Sequence, residues 1–236
     1  VLLAATATKA SLYILARILF SIFENSENLI NNTLLFVILP LSLLAMFAGT
    51  IMAIYEKDIK RLLAHSSVAQ IGYITLAFAI GTKASVAAGF IHMFNHAIIK
   101  GGLFIAITSI GFYIKKRVTV NNLSGLGREM PITFFCFVIC SLSLAGLPLT
   151  AGFISKLYLI KATISSDAIW IAILILISSA LSVVYLWKMI EVMWMREGRK
   201  IVIKENPTIY ISLIIITFFN IFFGLDASLV VNGSFE

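Results

Sequence analysis

Charge is what this chain has least of. Charged residues make up 12% of its 236 residues against 60% hydrophobic, and mean hydropathy is +1.02. Those values lie well outside the range of globular domains and indicate an integral membrane protein. Runs of alternating polarity are missing, which excludes the roughly ten-residue strands of a membrane barrel. A glycine-rich nucleotide loop and a flavin motif are both missing, and two cysteines are too few for an iron–sulfur cluster. The chain therefore has no cofactor site of its own in this reading. Cys136 and Cys140, four apart in an apolar run with no histidine or carboxylate near them in sequence, are expected to pack as small hydrophobes. Neither an initiator methionine nor a charged n-region nor a signal cleavage pattern stands before the apolar run at Val1. We expect a piece of a longer chain, or a chain whose start is not shown.

What is present is a series of apolar runs: Val1 to Phe23, Leu34 to Tyr55, Leu62 to Ile80, Val86 to Phe112, Pro131 to Ile160, Ala168 to Met195 and Thr208 to Leu225. Each is near or above the ~20 residues that a helix needs to cross the hydrocarbon. The fold expected is all-α, a polytopic membrane helix bundle of about seven transmembrane helices. The net charge of +7 is divided by loop, not gathered into a patch that would suit nucleic acid. Alternate loops hold Lys57, Lys60 and Arg61, then Lys115, Lys116, Arg117 and Arg128, then Lys188, Arg196, Arg199, Lys200 and Lys204. The opposite loops hold only Lys83 and Lys161. The positive-inside rule places the rich set in the cytoplasm and the C-terminus on the other side. The run from Arg196 to Lys204 reads as an inside loop attracted to anionic lipid. Trp170, Trp187 and Trp194 suit interfacial belts.

Lys9, Arg17, Lys100 and Lys156 are the basic residues left within spans, with Arg17 close enough to its helix end to snorkel. Lys100 is joined by His92 and His96 at spacings of four, so the three form a line on one helix face. A charge at mid-bilayer costs at least ~2.5 to 3.5 kcal/mol by insertion scales, and such groups face a bundle interior or a wet path. A proton could step along this line, since imidazole titrates near neutrality and an amine taken out of water gives up its proton more readily. Zinc-binding helices share the spacing, but His92-Met93-Phe94-Asn95-His96 lacks the glutamate of the metalloprotease pattern, and the Lys100 ammonium would repel a divalent cation. No metal ligands are assigned.

Gly146-Leu147-Pro148 to Gly152 interrupts a run too long for one span, so a broken helix is expected there. Broken helices at membrane depth line cavities and in transporters mark ion sites. Lys156, just past the break, reads equally as a snorkelling lysine or as part of such a site. Lys9 lies among small hydroxylated neighbours, either within the membrane or near its surface. Ser66, Ser67 and Gln70 can hydrate a path or bond between helices. Asp58, Lys60 and Arg61 read as capping and topology residues.

Three segments together resemble one family: Asp58-Ile59-Lys60-Arg61-Leu62-Leu63-Ala64-His65-Ser66-Ser67-Val68-Ala69-Gln70-Ile71-Gly72-Tyr73, His92 through Lys100, and Gly146-Leu147-Pro148 through Gly152-Phe153-Ile154-Ser155-Lys156. They look like the antiporter-type proton-translocating subunits shared by respiratory complex I, membrane-bound hydrogenases and Mrp-type sodium/proton antiporters. The stretch from Leu126-Gly127-Arg128-Glu129-Met130-Pro131 to Tyr158 is most similar to the Mrp D subunit and its hydrogenase relatives. The resemblance runs to about Trp194 and covers only the C-terminal half of such a subunit. It implies a single membrane domain, with 1–23 a linking helix, 34–195 the second five-helix repeat and 208–225 a C-terminal helix.

The resemblance also implies a proton path through Lys9, His92, His96, Lys100 and Lys156, with His65, Ser66, Ser67 and Gln70 as secondary or gating groups. Position 65 is His where the family pattern has Tyr, and the glutamate and lysine of the first repeat have no counterpart. The function implied is proton or cation/proton translocation by a relay of buried Lys and His, in a multisubunit complex. Partners are then other membrane subunits, protons, sodium ions as a second candidate cargo, and lipid, without nucleic acid. The setting implied is a bacterial or archaeal cell membrane. A proton-pumping subunit of a redox-driven complex, an intramembrane metalloenzyme using His92 and His96, and a non-conducting structural fragment are the competing readings.

Overall fold

A helix terminus leaves free backbone groups, and two helices in this chain meet that need with a capping side chain at the start and a left-handed residue at the end. The computed structural model describes residues 6–22, 33–115, 117–196, 205 and 207–225. α1 (Thr8–Arg17) runs into a wide π-helical turn, Ile18–Ile22. A second such turn, Leu34–Ile38, precedes α2 (Leu39–Tyr55), beside Pro40, which cannot donate to the preceding turn. α3 (Ile59–Ile80) is capped by Asp58, whose side chain accepts the Arg61 N–H at 3.0 Å, and stops at Gly81 with φ +74°. α4 (Lys83–Ile114) is capped by Thr82 through the Ser85 N–H and, at 32 residues, is the longest element. At 1.5 Å per residue it is about 48 Å long, more than a bilayer core of ~30 Å.

A four-residue helix α5 (Leu126–Glu129) leads to α6 (Pro131–Ala145), then α7 (Ala151–Ser165), α8 (Ile169–Trp194) and α9 (Pro207–Leu225). Among the described residues, five helical stretches are individually long and apolar enough to span a membrane: Leu34–Tyr55, Ile59–Ile80, Lys83–Ile114, Ile169–Trp194 and Pro207–Leu225. The expected run Pro131 to Ile160 is formed by the pair α6 and α7, and of the run expected first, Val1 to Phe23, residues 6–22 are described and helical. The protein is a multi-pass all-α membrane bundle.

α2 and α3 are antiparallel and very close. A Cβ on Gly49 would lie 2.6 Å from the Ala69 nitrogen, and one on Gly72 would lie 2.6 Å from the Met46 nitrogen, so only hydrogen fits at either contact. Behind them α4 runs through the middle of the bundle and packs on α3, α6, α7 and α9. The outer surface is apolar, with Phe36, Phe112, Phe135 and Phe218 exposed, as lipid or another membrane subunit requires. Trp170, Trp187 and Trp194 are also exposed, the first and last near opposite ends of α8.

The first two loops rich in basic residues meet at one end of the bundle, beside the end of α8. Ile59 N–H donates to the Val118 carbonyl, Val120 N–H to Lys57, and Gly125 N–H to Val192 near the end of α8. Arg117 pairs with Asp58 across this end. Lys116, Arg199, Lys200, Lys204, the first five residues and the chain after Leu225 lie outside the described residues.

Candidate functional site

The stripe on α4 is buried along its whole length: His92, His96 and Lys100 are each at most 2% exposed. Their spacing of four aims them at the seam between α3 and the broken helix. The Lys100 ammonium donates to the Leu63 carbonyl at 2.7 Å and to the Ser66 hydroxyl. The same carbonyl accepts from Ser66 and Ser67, each at 3.0 Å. His92 is held at both ring nitrogens, Nδ1 by Ser155 Oγ at 2.8 Å and Nε2 by Gln70 Oε1 at 3.0 Å. Because Gln70 Oε1 can only accept, Nε2 carries the hydrogen, and Nδ1 of the neutral ring accepts from Ser155. The His96 ring is stacked parallel to His92, with centroids 6.4 Å apart and 6° between planes. Neither nitrogen of His96 has a hydrogen-bond partner among the described residues.

The break supplies the other end of this file. α6 stops at Gly146, whose φ of +90° suits glycine, and whose N–H bonds to Leu142 and Ser143 while Leu147 N–H also reaches Leu142. Ending the helix there leaves the last carbonyls without intrahelical donors. Lys156 takes two of them, Leu144 at 3.0 Å and Ala145 at 2.9 Å, and adds the Ser179 hydroxyl at 2.6 Å. The ammonium thus sits at the negative end of α6. It also lies 5.1 Å from the centroid of Tyr73, whose ring meets His92 edge-on at 5.7 Å. Tyr73 thereby joins Lys156 to the stripe. Lys156 borders a cavity of about 250 Å³ lined also by Gly146, Phe153, Leu157 and Ser179. The bland reading of Lys156 as a snorkelling lysine does not describe this geometry, because its partners are carbonyls of the break.

Lys9 of α1 is buried too, and its charge acts on His92, His96 and Lys100. His96 lies between His92 and Lys100 on the same helix face, one turn from each. Every hydrogen-bond partner of Lys100 and Lys156 among the described residues is a neutral oxygen. Two imidazolium charges 6.4 Å apart would repel by roughly 2 to 3 kcal/mol at an effective dielectric constant of about 20. Charge on one ring therefore disfavours charge on the other.

Sequence reasoning brought Lys9, His92, His96, Lys100, Lys156, Ser66 and Gln70 to one place, and the structure puts them there. It does not put His65 there. That ring is one residue, or 100°, off the face of Ser66 and lies half-buried 3.8 Å from the Glu56 carboxylate at the α2–α3 turn. Ser67 is half-buried and touches the file only through the shared Leu63 carbonyl. At that same turn, hydrogen bonds from the Asp58 and Lys57 N–H groups hold the Glu56 carboxyl below its ordinary value. Burial pushes the Asp58 carboxyl up, but the Arg61 N–H and the Arg117 guanidinium outweigh it and leave the group below the usual carboxylate value.

Residues not singled out from sequence complete the site: Tyr73, Ser155, Ser179 and Asn95, whose amide donates to the Ala151 carbonyl at 2.7 Å. A signal existed for Tyr73, because Ser66, Gln70 and Tyr73 follow at spacings of four and three on one face of α3.

Buried lysines and histidines beside a broken helix in a multi-pass bundle are an arrangement also found in membrane transporters. The chain belongs to the NADH:quinone oxidoreductase/Mrp antiporter transmembrane family, whose model matches residues 1–182. It is 37% identical over 190 residues to NADH-quinone oxidoreductase subunit N of Desulforudis audaxviator, a match covering 80% of this chain and 37% of that protein. It is 35% identical over 167 residues to F(420)H(2) dehydrogenase subunit N of Methanosarcina mazei, covering 67% of this chain and 34% of that one. The chain thus spans about a third of the length of the curated relatives it matches.

Among solved structures, a chain of the Mrp complex from Dietzia sp. DQ12-45-1b superposes with a TM-score of 0.88 over 98% of this chain and 51% of that one; at 23% identity this speaks to fold alone. A chain of the membrane-bound sulfane sulfur reductase, an archaeal respiratory membrane complex, gives a TM-score of 0.85 at 30% identity, over 98% of this chain and 47% of that one.

Proposed function

We propose that this chain moves protons across a membrane as an antiporter-like subunit of a multisubunit complex, by a relay through Lys100, His96, His92 and Lys156 under the influence of Lys9. The observation that carries this reading is the file itself: basic groups buried on one line, the lysines at both ends held by neutral oxygens, and His96 between them with both nitrogens open. An imidazole in that state accepts a proton on one nitrogen and releases one from the other. Repulsion between neighbours then drives the charge onward, toward Lys156 and the cavity beside it. Ser66, Gln70, Ser155 and Tyr73 orient the groups and take no net charge.

Membership of the family supports this function, and the complexes named above support other membrane subunits as partners. In the same reading 1–23 is a linking helix, 34–195 a five-helix repeat and 208–225 a C-terminal helix. The membrane is a bacterial or archaeal cell membrane, with the basic loops inside and the C-terminus outside. The driving force is either a countermoving cation such as sodium or electron transfer in partner subunits. An intramembrane metal enzyme fits less well, since a metal at His92 would have to displace Ser155 or Gln70 from an already occupied ring.

The test is proton and sodium flux in proteoliposomes containing this chain with its natural partner subunits. Lys100→Ala is expected to lower flux by at least about 100-fold with assembly intact, the scale of a lost proton-transfer group. Lys100→Arg should fail as well, because guanidinium does not release its proton. Flux that survives Lys100→Ala overturns the relay.

A further inference from the structure

α9 lies beyond the residues matched by the family model, yet it reaches the break. Its buried residues Leu213, Thr217, Asn220 and Gly224 fall on one face, at spacings of four, three and four. The opposite face carries Phe218, Phe219 and Phe222, with the first two exposed. Asn220 is completely buried, and its Oδ1 accepts the Ser143 hydroxyl at 2.7 Å. Ser143 Oγ in turn accepts the Gly152 N–H at 3.1 Å, across the break. Both chain halves are in close contact there, since a Cβ on Gly152 would stand 1.8 Å from the Ser143 carbonyl oxygen. Gly224, one turn further along α9, abuts the Leu149 carbonyl and Thr150 in the linker.

The other end of the α9 segment is fastened to the same broken helix. α6 opens on Met130 without a side-chain cap of its own. The Glu205 carboxylate supplies one, accepting the N–H groups of Ile132 and Thr133, each at 3.1 Å, and the Thr133 hydroxyl at 2.6 Å. α6 is therefore gripped at its first turn and at its last.

We infer that Asn220 is a positioning residue for Lys156, acting through the Ser143 hydroxyl and the Gly152 N–H to set the gap between α6 and α7. The inference rests on the proton-relay reading above. Lys156 takes the carbonyls of Leu144 and Ala145, the two residues that follow Ser143, so where Ser143 is held decides where those acceptors stand. The titratable groups facing Lys156 are Tyr73 on α3 and His92 and His96 on α4; α8 contributes Ser179. Asn220 touches none of them, and its Nδ2 turns to Cys140 Sγ at 3.8 Å. Its effect on them travels through the break.

The experiment compares Ser143→Ala, Asn220→Ala and the double variant in the reconstituted complex, with Lys100→Ala alongside. Flux per assembled complex and its pH profile are measured. Each single variant is expected to lower flux roughly 3- to 10-fold, the scale of one buried hydrogen bond, and to displace the pH profile. The double variant should lose less than about twofold more, since both changes cut one chain of bonds.

Wild-type rate and profile in both singles, with Lys100→Ala inactive, would overturn the positioning role and leave the relay standing. Less assembled complex at an unchanged rate and profile would make the bond simple helix glue and overturn it equally. Should Asn220→Ala fail to accumulate, Ser143→Ala decides alone, because it leaves α9 untouched. Flux that persists in Lys100→Ala overturns the relay itself, a result distinct from either.

Discussion

The two lysines at the ends of the file are held by opposite strategies. Lys100 sits on an unbroken helix of 32 residues and borrows a carbonyl from its neighbour, Leu63 on α3. Lys156 sits just past a break and uses carbonyls that the break has released, Leu144 and Ala145. Leu63 lies inside an intact helix, so its carbonyl offers Lys100 only a remaining lone pair, which Ser66 and Ser67 also approach. A broken helix brings its own acceptors, and also a cavity. Lys100 is accordingly fully enclosed, whereas Lys156 borders a space of about 250 Å³. In the proposed relay that makes Lys100 an interior station and Lys156 the one that trades with an outlet.

Adding one methyl group to each region would separate them most sharply. Gly152→Ala puts a Cβ 1.8 Å from the Ser143 oxygen, with backbone rather than a flexible side chain in the way. We expect a loss of about 4 kcal/mol or more, read as failure to accumulate or a collapse of the melting temperature of the purified complex. Gly101→Ala, beside Lys100, meets nothing within 4 Å. Removing a helix-interior glycine there should stabilise by up to about 1 kcal/mol. Equal effects at the two positions would mean that the break is not the tight junction described.

The hydroxyls that hold each amine give a smaller contrast. Ser66→Ala leaves Lys100 with the Leu63 carbonyl alone, whereas Ser179→Ala leaves Lys156 with two carbonyls. Flux is expected to fall about tenfold in the first and about threefold in the second, since a charged donor loses half of its partners in one case and a third in the other. The reverse order would place the tighter constraint at the break.

The α4 stripe was legible because helical spacing alone puts residues four apart on one face, and ionisable groups are conspicuous in an apolar run. The break was legible from Pro148 with Gly146 and Gly152. What could not be read was whatever depends on helices meeting across long stretches of chain. Asn220 lies 77 residues from Ser143, and Asn95 lies 56 from Ala151. Either amide, seen alone, reads as ordinary glue between helices. Helical spacing puts Tyr73 on the face of Ser66 and Gln70, but its role, a ring contact to both His92 and Lys156, is one that no hydrogen-bonding pattern in the sequence announces. Rotation about the helix explains the remaining misplacement, because His65 adjoins Ser66 in sequence while facing another way.

His65 offers the last and smallest test. It stands outside the file, a third exposed, with its Nε2 3.8 Å from the Glu56 carboxylate. A partly exposed pair of this kind contributes ~0 to 1 kcal/mol, and a phenol of similar reach can occupy the same place. His65→Tyr is therefore expected to leave proton flux within about twofold of the parent, the span that 0.4 kcal/mol would give. Paired with Ser66→Ala in the same vesicles, it asks whether the inner and outer faces of α3 are separate. A fall at position 65 as deep as that at position 66 would extend the path to the Glu56 turn, and the Leu63 carbonyl would then be a midpoint of the file instead of its end.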